Sequence, residues 1–387
     1  MLAAWLKLIT RNALRAKLRT ALTALGLTVA ITAFGLLSTV IEAWYANANA
    51  ASATRLITRN AISLTFSLPL AYRNRVLAVD GVQQISYANW FGGIYKEPKN
   101  FFPQFAIEPT SYLALYPEYV IEPTQKLDFL RDRKGALVGR KIADTYGFKV
   151  GDNVSLIGQI YSGDWAFTIR GIYDGAQPNT DTTQFFFHWD YLNERMKTAA
   201  PTRVNQIGVF VVGVQDAGRV ADISLAVDQE FKNSQAETLT ETEKAFQLGF
   251  VAMTEAIVIA IRIVSFVVII IIMVVLANTI AMTARERYAE YATLQALGFP
   301  PVWTASLIVG ESFTIAILGG ISGMLLTYPI VEAFGKITGT LFPVMHISSA
   351  TLLAQTAATA VVALIAALFP FRTAWRLPIV DGLRHIG

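Results

Sequence analysis

The residues best suited to chemistry between molecules sit in one short stretch, "ARERYAEYATLQALGFP", positions 284 to 300. Arg285, Glu286, Arg287 and Glu290 crowd together there. On a helix, Glu286, Glu290, Thr293 and Leu297 share one side, while Ala284, Tyr288, Tyr291 and Gln295 share another. Arg287 reaches Glu290 at i,i+3, whereas Glu286 and Glu290 repel each other at i,i+4. A helix that only rests on an anionic membrane would not keep two carboxylates on one face. The pattern therefore offers recognition rather than catalysis: paired charges on one side and tyrosine contact area on the other. Either another protein covers this surface or it is a solvated connector.

Other chemistry is thinly represented. The phosphate-cradling pattern G-x-x-x-x-G-K-[ST] does not occur. The chain has no cysteine and three histidines, His188, His346 and His385, far apart in sequence. That argues against a zinc site and leaves no metal ligand set. Neither a nucleophile elbow nor a His-plus-carboxylate pattern is present, so no catalytic residue is assigned and no cofactor is expected in this chain. His188, within "FFFHWD", reads as a core strand position or as the edge of an aromatic patch. His346 reads as solvated.

The elements that must position the charged stretch are greasy. Of 387 residues, 53% are hydrophobic and 16% charged, against about 25% charged in soluble domains. Four apolar runs are long enough for the roughly 20 residues that cross a bilayer: Ala21–Ala43, Ile263–Met282, Val302–Val331 and Ala350–Phe371. The spans are placed at 20–43, 256–282, 302–331 and 350–371, with the charged helix at 284–298 between the second and third. The first run is longer than the 7–15 residues of a signal-peptide core and is read as a retained span.

The third run carries Glu311, whose ionised form is costly in hydrocarbon. It reads as a proton or substrate site, or as a polar lock near the end of the helix. Ser312, Ala316 and Gly320 recur every four residues, and Gly319 pairs with Gly323. Small residues so spaced let helices approach closely, within the chain or across a dimer.

Charge sets the orientation. Residues 1–19, the 284–298 stretch and the tail 372–387 hold ten basic and three acidic residues, whereas 44–249 hold twenty and twenty-one. The positive-inside rule then puts both termini and the charged helix in the cytoplasm and the large insert outside. The pI of about 9.1 thus reflects topology, and no nucleic-acid partner is expected. Lys7, Arg11, Arg15 and Arg19 repeat every four residues opposite Leu2, Trp5, Leu6, Ile9 and Ala13, the pattern of an interfacial amphipathic helix touching membrane lipids.

The insert, 44–250, mixes signals. Val154–Ile160 and Trp165–Tyr173 flank Ser162-Gly163-Asp164 as a hairpin. Ile207–Val212 reads as a strand and Val220–Phe231 as a helix. The fold class is an α-helical membrane protein with four spans and an α+β extracytoplasmic domain between the first and second. Tyr45–Leu56 and Glu237–Glu255, poor in Gly and Pro, are expected to extend the membrane helices outward as stalks.

"NTIAMTARERYAEYATLQALGFPPVWTASLIVGES", Asn278 to Ser312, resembles the signature of the MacB/FtsX-type permeases of ABC transporters. The matching positions are Asn278, Glu286, Arg287, Glu290, Leu294, Ala296, Leu297 and Gly298, followed by Glu311 and Ser312. "NALRAKLRTALTALGLTVA", "GALVGRKIADTYGFKVGDNVSLIG", "FTIRGIYDG" and "AWRLPIVDGLRHIG" resemble other parts of the family, most weakly between 57 and 130. The resemblance implies a dimeric four-span permease of the bacterial inner membrane, with a homodimer ahead of a heterodimer. It implies that a cytoplasmic ATPase on a separate chain, carrying the ATP and Mg, grips a coupling helix. Arg285, Glu286, Arg287, Glu290, Tyr291, Leu294, Leu297 and Gly298 would make that contact. A periplasmic adaptor and an outer-membrane channel are further expected partners. The function implied is MacB-like export from the outer face of the membrane by movement of the periplasmic domain. The alternatives are lipoprotein or lipid extraction as in LolC and LolE, or FtsX-like control of a cell-wall hydrolase without transport.

Overall fold

The computed structural model describes residues 8–9, 11–12, 15–339, 342 and 344–375. Most of the expected N-terminal amphipathic helix, His385 and nearly all of the tail lie outside them. The chain divides into two compact units, one of residues 1–42, 255–337 and 345–387, the other of 43–254 and 338–344.

In chain order, α1 is Lys17–Ala50, β1 Arg55–Asn60, β2 Leu68–Pro69, α2 Tyr72–Leu77, β3 Val82–Trp90, β4 Gly93–Ile94, β5 Gln104–Ile107, α3 Pro109–Leu115 and β6 Tyr119–Ile121. Then come α4 Pro123–Arg131, β7 Gly135–Gly139, α5 Arg140–Tyr146, β8 Asn153–Gly158, β9 Gly163–Gly175, β10 Phe185–His188, α6 Trp189–Ala199, β11 Gln206–Ile207, β12 Val209–Val214, α7 Val220–Glu230 and β13 Thr238–Thr242. Five helices complete the described residues: α8 Glu243–Met253, α9 Glu255–Glu286, α10 Tyr288–Ala296, α11 Pro301–Thr338 and α12 Ser349–Trp375. Among the described residues α1, α9, α11 and α12 are long and apolar enough to cross a membrane. One precedes and three follow the inserted α+β domain, which is the fold class implied by the sequence.

The main sheet of the inserted domain is ordered β13-β1-β12-β3-β5-β10-β7-β9-β8-β4, with β6 paired to β9, and β2 and β11 form a separate two-stranded sheet. Strand β4 follows β3 after only Phe91 and Gly92, yet it pairs with β8 at the end of this path. The path from β3 therefore returns to its own start. Gly92 makes the turn at φ +64°, a conformation with little cost only for glycine. The Gln104 side chain completes the closure: its Oε1 accepts from Gly93 N at 2.6 Å and its Nε2 donates to Gly93 O at 2.9 Å. "FFFH" lies inside, and alternate residues serve opposite faces. Phe185 and Phe187 join the cluster of Phe91, Phe167 and Trp165, whereas Phe186 joins Ile57, Tyr112 and Val211.

The β8–β9 hairpin forms at the expected place. The stalk expectations are corrected. Helix α1 does run on past the apolar stretch, but it stops at Ala50, and Arg55 already begins a strand. The segment before the second span is not one helix: Thr238–Thr242 is a strand antiparallel to β1. Thr242 then caps α8 through its Oγ1, and Thr254 interrupts the helix at φ −114°, ψ 12°. Alternating β-branched residues (Thr238, Thr240, Thr242) favour a strand over a helix.

In the helical unit the small residues of α11 pack inside the chain. A Cβ on Gly319 would meet Ala24 O and Leu27, one on Gly323 would meet Thr28 O and Ile31, and one on Gly320 would meet Thr359. This closeness lets Thr28 and Thr32 donate from Oγ1 to the Gly319 and Gly323 carbonyls at 3.2 and 3.0 Å. Gln355 of α12 donates to Ile31 O and Thr327 Oγ1, both at 2.9 Å. These polar bonds join α1, α11 and α12 where lipid offers no alternative partner.

Candidate functional site

The charged stretch is not a single helix. Helix α9 carries the apolar span through to Glu286; Arg287 then leaves helical geometry at φ −108°, ψ 11°, and α10 starts again at Tyr288. The far end stops by local chemistry. Gly298 adopts φ +94°, its N–H donates to Gln295 O, and Phe299 N–H donates to Leu294 O. This double closure needs a left-handed residue after the helix, which glycine supplies. Pro301 then opens α11, where a missing N–H is harmless.

The acids of the charged stretch are paired within the chain, in ion pairs that stay partly exposed. Arg19 grips Glu286 with both terminal nitrogens, at 2.8 and 2.9 Å, and donates to Thr283 Oγ1 at 3.1 Å. Arg15 reaches Glu290 at 2.6 Å. Arg287 bridges Glu290 at 2.9 Å and Glu311 at 3.3 Å, and lies 5.3 Å from the Tyr291 ring centroid. Burial alone would raise the Glu290 carboxyl, but the hydrogen bonds from Arg287 and Arg15 outweigh it and hold that carboxyl below its ordinary value. These groups surround a cavity of about 280 Å³, into which Asn12 and Thr279 also project.

The expectation of tyrosine contact area is corrected at Tyr291, which is buried, whereas Glu286 is exposed and Glu290 and Tyr288 are partly exposed. Two arginines four residues apart satisfy two glutamates four residues apart within the same chain, and Tyr291 is only 1% exposed. Glu311 sits in a buried ion pair, the geometry of a lock joining α11 to the break at Arg287.

The end of α10 and the turn after it also face outward. Thr293, Ala296, Leu297, Gly298, Phe299 and Val302 are exposed, Leu297 at 72%. Phe299 stacks on Trp303 at 4.6 Å. Arg285 is exposed as well, and Leu294 is half-buried. Sequence reasoning missed Phe299 and Val302 as surface residues, and Arg15 and Arg19 as partners of the acids. The matching four-residue spacings of Arg15/Arg19 and Glu286/Glu290 were the unused signal for the latter.

In the inserted domain, His188 is buried, and its Nε2 lies 2.7 Å from Phe129 O. Burial pushes this imidazole below its ordinary value, which leaves it neutral and donating from Nε2. His346 is exposed. Among the described residues no group of three or more His, Asp or Glu side chains is arranged to hold a metal.

Comparison with known proteins gives these elements a family. Residues 20–230 match the MacB-like periplasmic core domain, and residues 262–379 match the FtsX-like permease C-terminal family. An uncharacterized ABC transporter permease protein of Mycobacterium tuberculosis is 21% identical over 272 residues, covering 67% of this chain; the chain spans 29% of that relative's length. The extracellular domain of the noncanonic ABC-type transporter YknZ from Gram-positive bacteria aligns with a TM-score of 0.36 and 13% identity, over 49% of this chain and all of that one. A domain of a putative permease protein from Porphyromonas gingivalis aligns at 0.33 and 16%, over 49% of this chain and 90% of that one. The four apolar helices and the matched core domain make this a multi-pass membrane protein with an extracytoplasmic domain. With a MacB-like core domain over more than half of its length and an FtsX-like C-terminal region, the chain belongs to the MacB/FtsX-type ABC transporter permeases.

Proposed function

We propose that the chain is the membrane subunit of a MacB-like exporter, driven by an ATPase on another chain that seats against the end of α10. In this reading both termini and α10 face the cytoplasm of a bacterial inner membrane and the inserted domain faces the periplasm. The ATPase brings the ATP and Mg, and a second copy of the permease completes the unit. The observation that carries it is the contrast between the two sides of α10. One side is fixed to the bundle through Arg15, Arg287 and Glu311. The other presents Leu297, Phe299 and Val302 to solvent. A short lever clamped on one side and apolar on the other suits transmission of force from a docked protein. Movement then passes up α1 and α9, each more than 30 residues and about 50 Å long at about 1.5 Å per residue.

Affinity purification from native membranes tests this reading. The wild-type chain is expected to bring down a nucleotide-hydrolysing protein, and L297D with F299D is expected to lose it at least tenfold, the effect of removing a central apolar anchor of more than about 1.4 kcal/mol. Equal recovery of the ATPase by the double variant would contradict the proposed contact.

A further inference from the structure

A cavity of about 260 Å³ opens within the inserted-domain unit, between the last turns of α1 and helix α8. Its walls are apolar and aromatic: Trp44, Phe250, Val251 and Phe342, with Trp44 edge-on to Phe342 at 5.1 Å. No charged side chain lines it. Two neutral amides do, Asn47 and Gln247, and neither makes a side-chain hydrogen bond among the described residues. By contrast the Trp44 indole N–H is satisfied, donating to Thr254 Oγ1 at 2.7 Å. An apolar pocket with a few convergent polar groups is the usual form of a small-molecule site.

Its place along the chain narrows the ligand. Ala43 ends the first apolar run, and Thr254 directly precedes α9, which carries the second. The cavity thus forms where both segments pass from hydrocarbon to the headgroup region, the level at which tryptophan concentrates. What is abundant there, largely apolar and in need of only neutral polar contacts, is an acyl chain with an ester, amide or hydroxyl at its head. Amides both donate and accept, so Asn47 and Gln247 can meet any of these groups.

We propose that this cavity binds one acyl chain of a membrane amphiphile, with Trp44, Phe250, Val251 and Phe342 around the chain and Asn47 and Gln247 on its polar linkage. The assignment concerns binding alone and holds whether or not an ATPase drives the protein.

The probe is lysophosphatidylcholine carrying a photoreactive diazirine in its single chain, added to the full-length protein in phosphatidylcholine nanodiscs. Cross-links are mapped by mass spectrometry. Saturable labelling of residues 43–48 and 247–254, competed by unlabelled lysolipid, is expected. N47W, which fills the mouth, should reduce that labelling at least fivefold, while background labelling of the lipid-facing stretch around Phe266 and Ile270 stays unchanged. Q247L keeps the volume and removes the amide, and should weaken competition by roughly fivefold, the loss of one hydrogen bond of about 1 kcal/mol. Q247L carries the test alone if N47W fails to give a monodisperse protein. Labelling that does not saturate and ignores both variants overturns the proposal. So does a disulfide forming between N47C on two copies with no lipid labelling, which would mean that a second chain fills the cavity.

Discussion

The Arg55 guanidinium donates from Nε to Glu243 Oε2 at 2.9 Å, although both side chains are only 7% exposed. Arg55 opens β1 and Glu243 opens α8, so the pair fastens the first strand of the extracytoplasmic domain to the helix that leads out of it. Arg55 also takes Glu118 at 2.6 Å and Leu115 O at 2.8 Å, and stacks 4.1 Å from the Tyr116 ring centroid. Burial opposes the charge on Arg55, and the two carboxylates more than offset it. Removing the cation strands two acids, one of them buried. R55M is expected to destabilise the domain by about 3–5 kcal/mol, read as a lowered midpoint in thermal unfolding of the purified chain. R55M combined with E243Q should recover part of that loss; an R55M midpoint equal to wild type would show that the pair is structurally idle.

His188 gives the domain a pH dependence of definite sign. Burial lowers its folded pKa, outweighing the pull of Phe129 O, Asp190, Asp132 and Glu108 toward the charged form. The unfolded chain therefore binds the proton first. Stability from this group is complete above the unfolded value of about 6.5 and falls as pH drops below it, until the folded imidazole also protonates. H188Q retains a donor for Phe129 O without the titration. The difference in unfolding midpoint between wild type and H188Q, measured from pH 7.5 to 5.5, should shift against the wild type as pH falls. A constant difference would remove His188 from the account.

The contact of α1 with α11 is tight enough to test by adding atoms. A Cβ on Gly323 would stand 2.8 Å from Ile31 Cβ and 2.9 Å from Thr28 O, both rigid neighbours. G323L is expected to cost about 1–3 kcal/mol by overpacking and to weaken the Thr32 bond to the Gly323 carbonyl. Detergent-solubilised G323L should lose its monodisperse elution profile at a lower temperature than wild type. G339L is the control, since nothing lies within 4 Å of a Cβ there. Because φ at Gly339 is +56°, that variant carries only local backbone strain.

Arg287 is half of a buried pair whose partner lies in another helix. E311L leaves its guanidinium, 13% exposed, with the more exposed Glu290 alone, and breaking a buried pair from one side costs about 3–5 kcal/mol. E311Q keeps an acceptor and should cost less. If E311L proved as stable as E311Q, the lock between α11 and the α9–α10 break would not exist.

Much of this arrangement was legible in the sequence because the strongest patterns are local or long. Four apolar runs need no tertiary information to read, and Gly298 before two prolines announced the end of α10. The β8–β9 hairpin followed from β-branched runs around Ser162-Gly163-Asp164. The misreadings share one cause: they depended on partners distant in sequence. Thr238–Thr242 is a strand because β1 lies beside it, and the helical spacing of neighbouring residues could not reveal that. The two acids of the charged stretch looked unpaired because Arg15 and Arg19 lie some 270 positions earlier; the separations are 275 and 267. Tyr291 looked like contact area because periodicity assigns sides of a helix without saying which side is buried.

The side of the membrane that Leu297 faces tests the central claim most directly. The chain has no cysteine, so L297C is a unique thiol, and Leu297 is the most exposed large residue of the outward ridge. A membrane-impermeant maleimide should label L297C in inverted inner-membrane vesicles stripped of peripheral proteins, leave it unlabelled in intact spheroplasts, and lose access when the ATPase is added back. Labelling of L297C in intact spheroplasts would place the lever on the outer face and contradict the account.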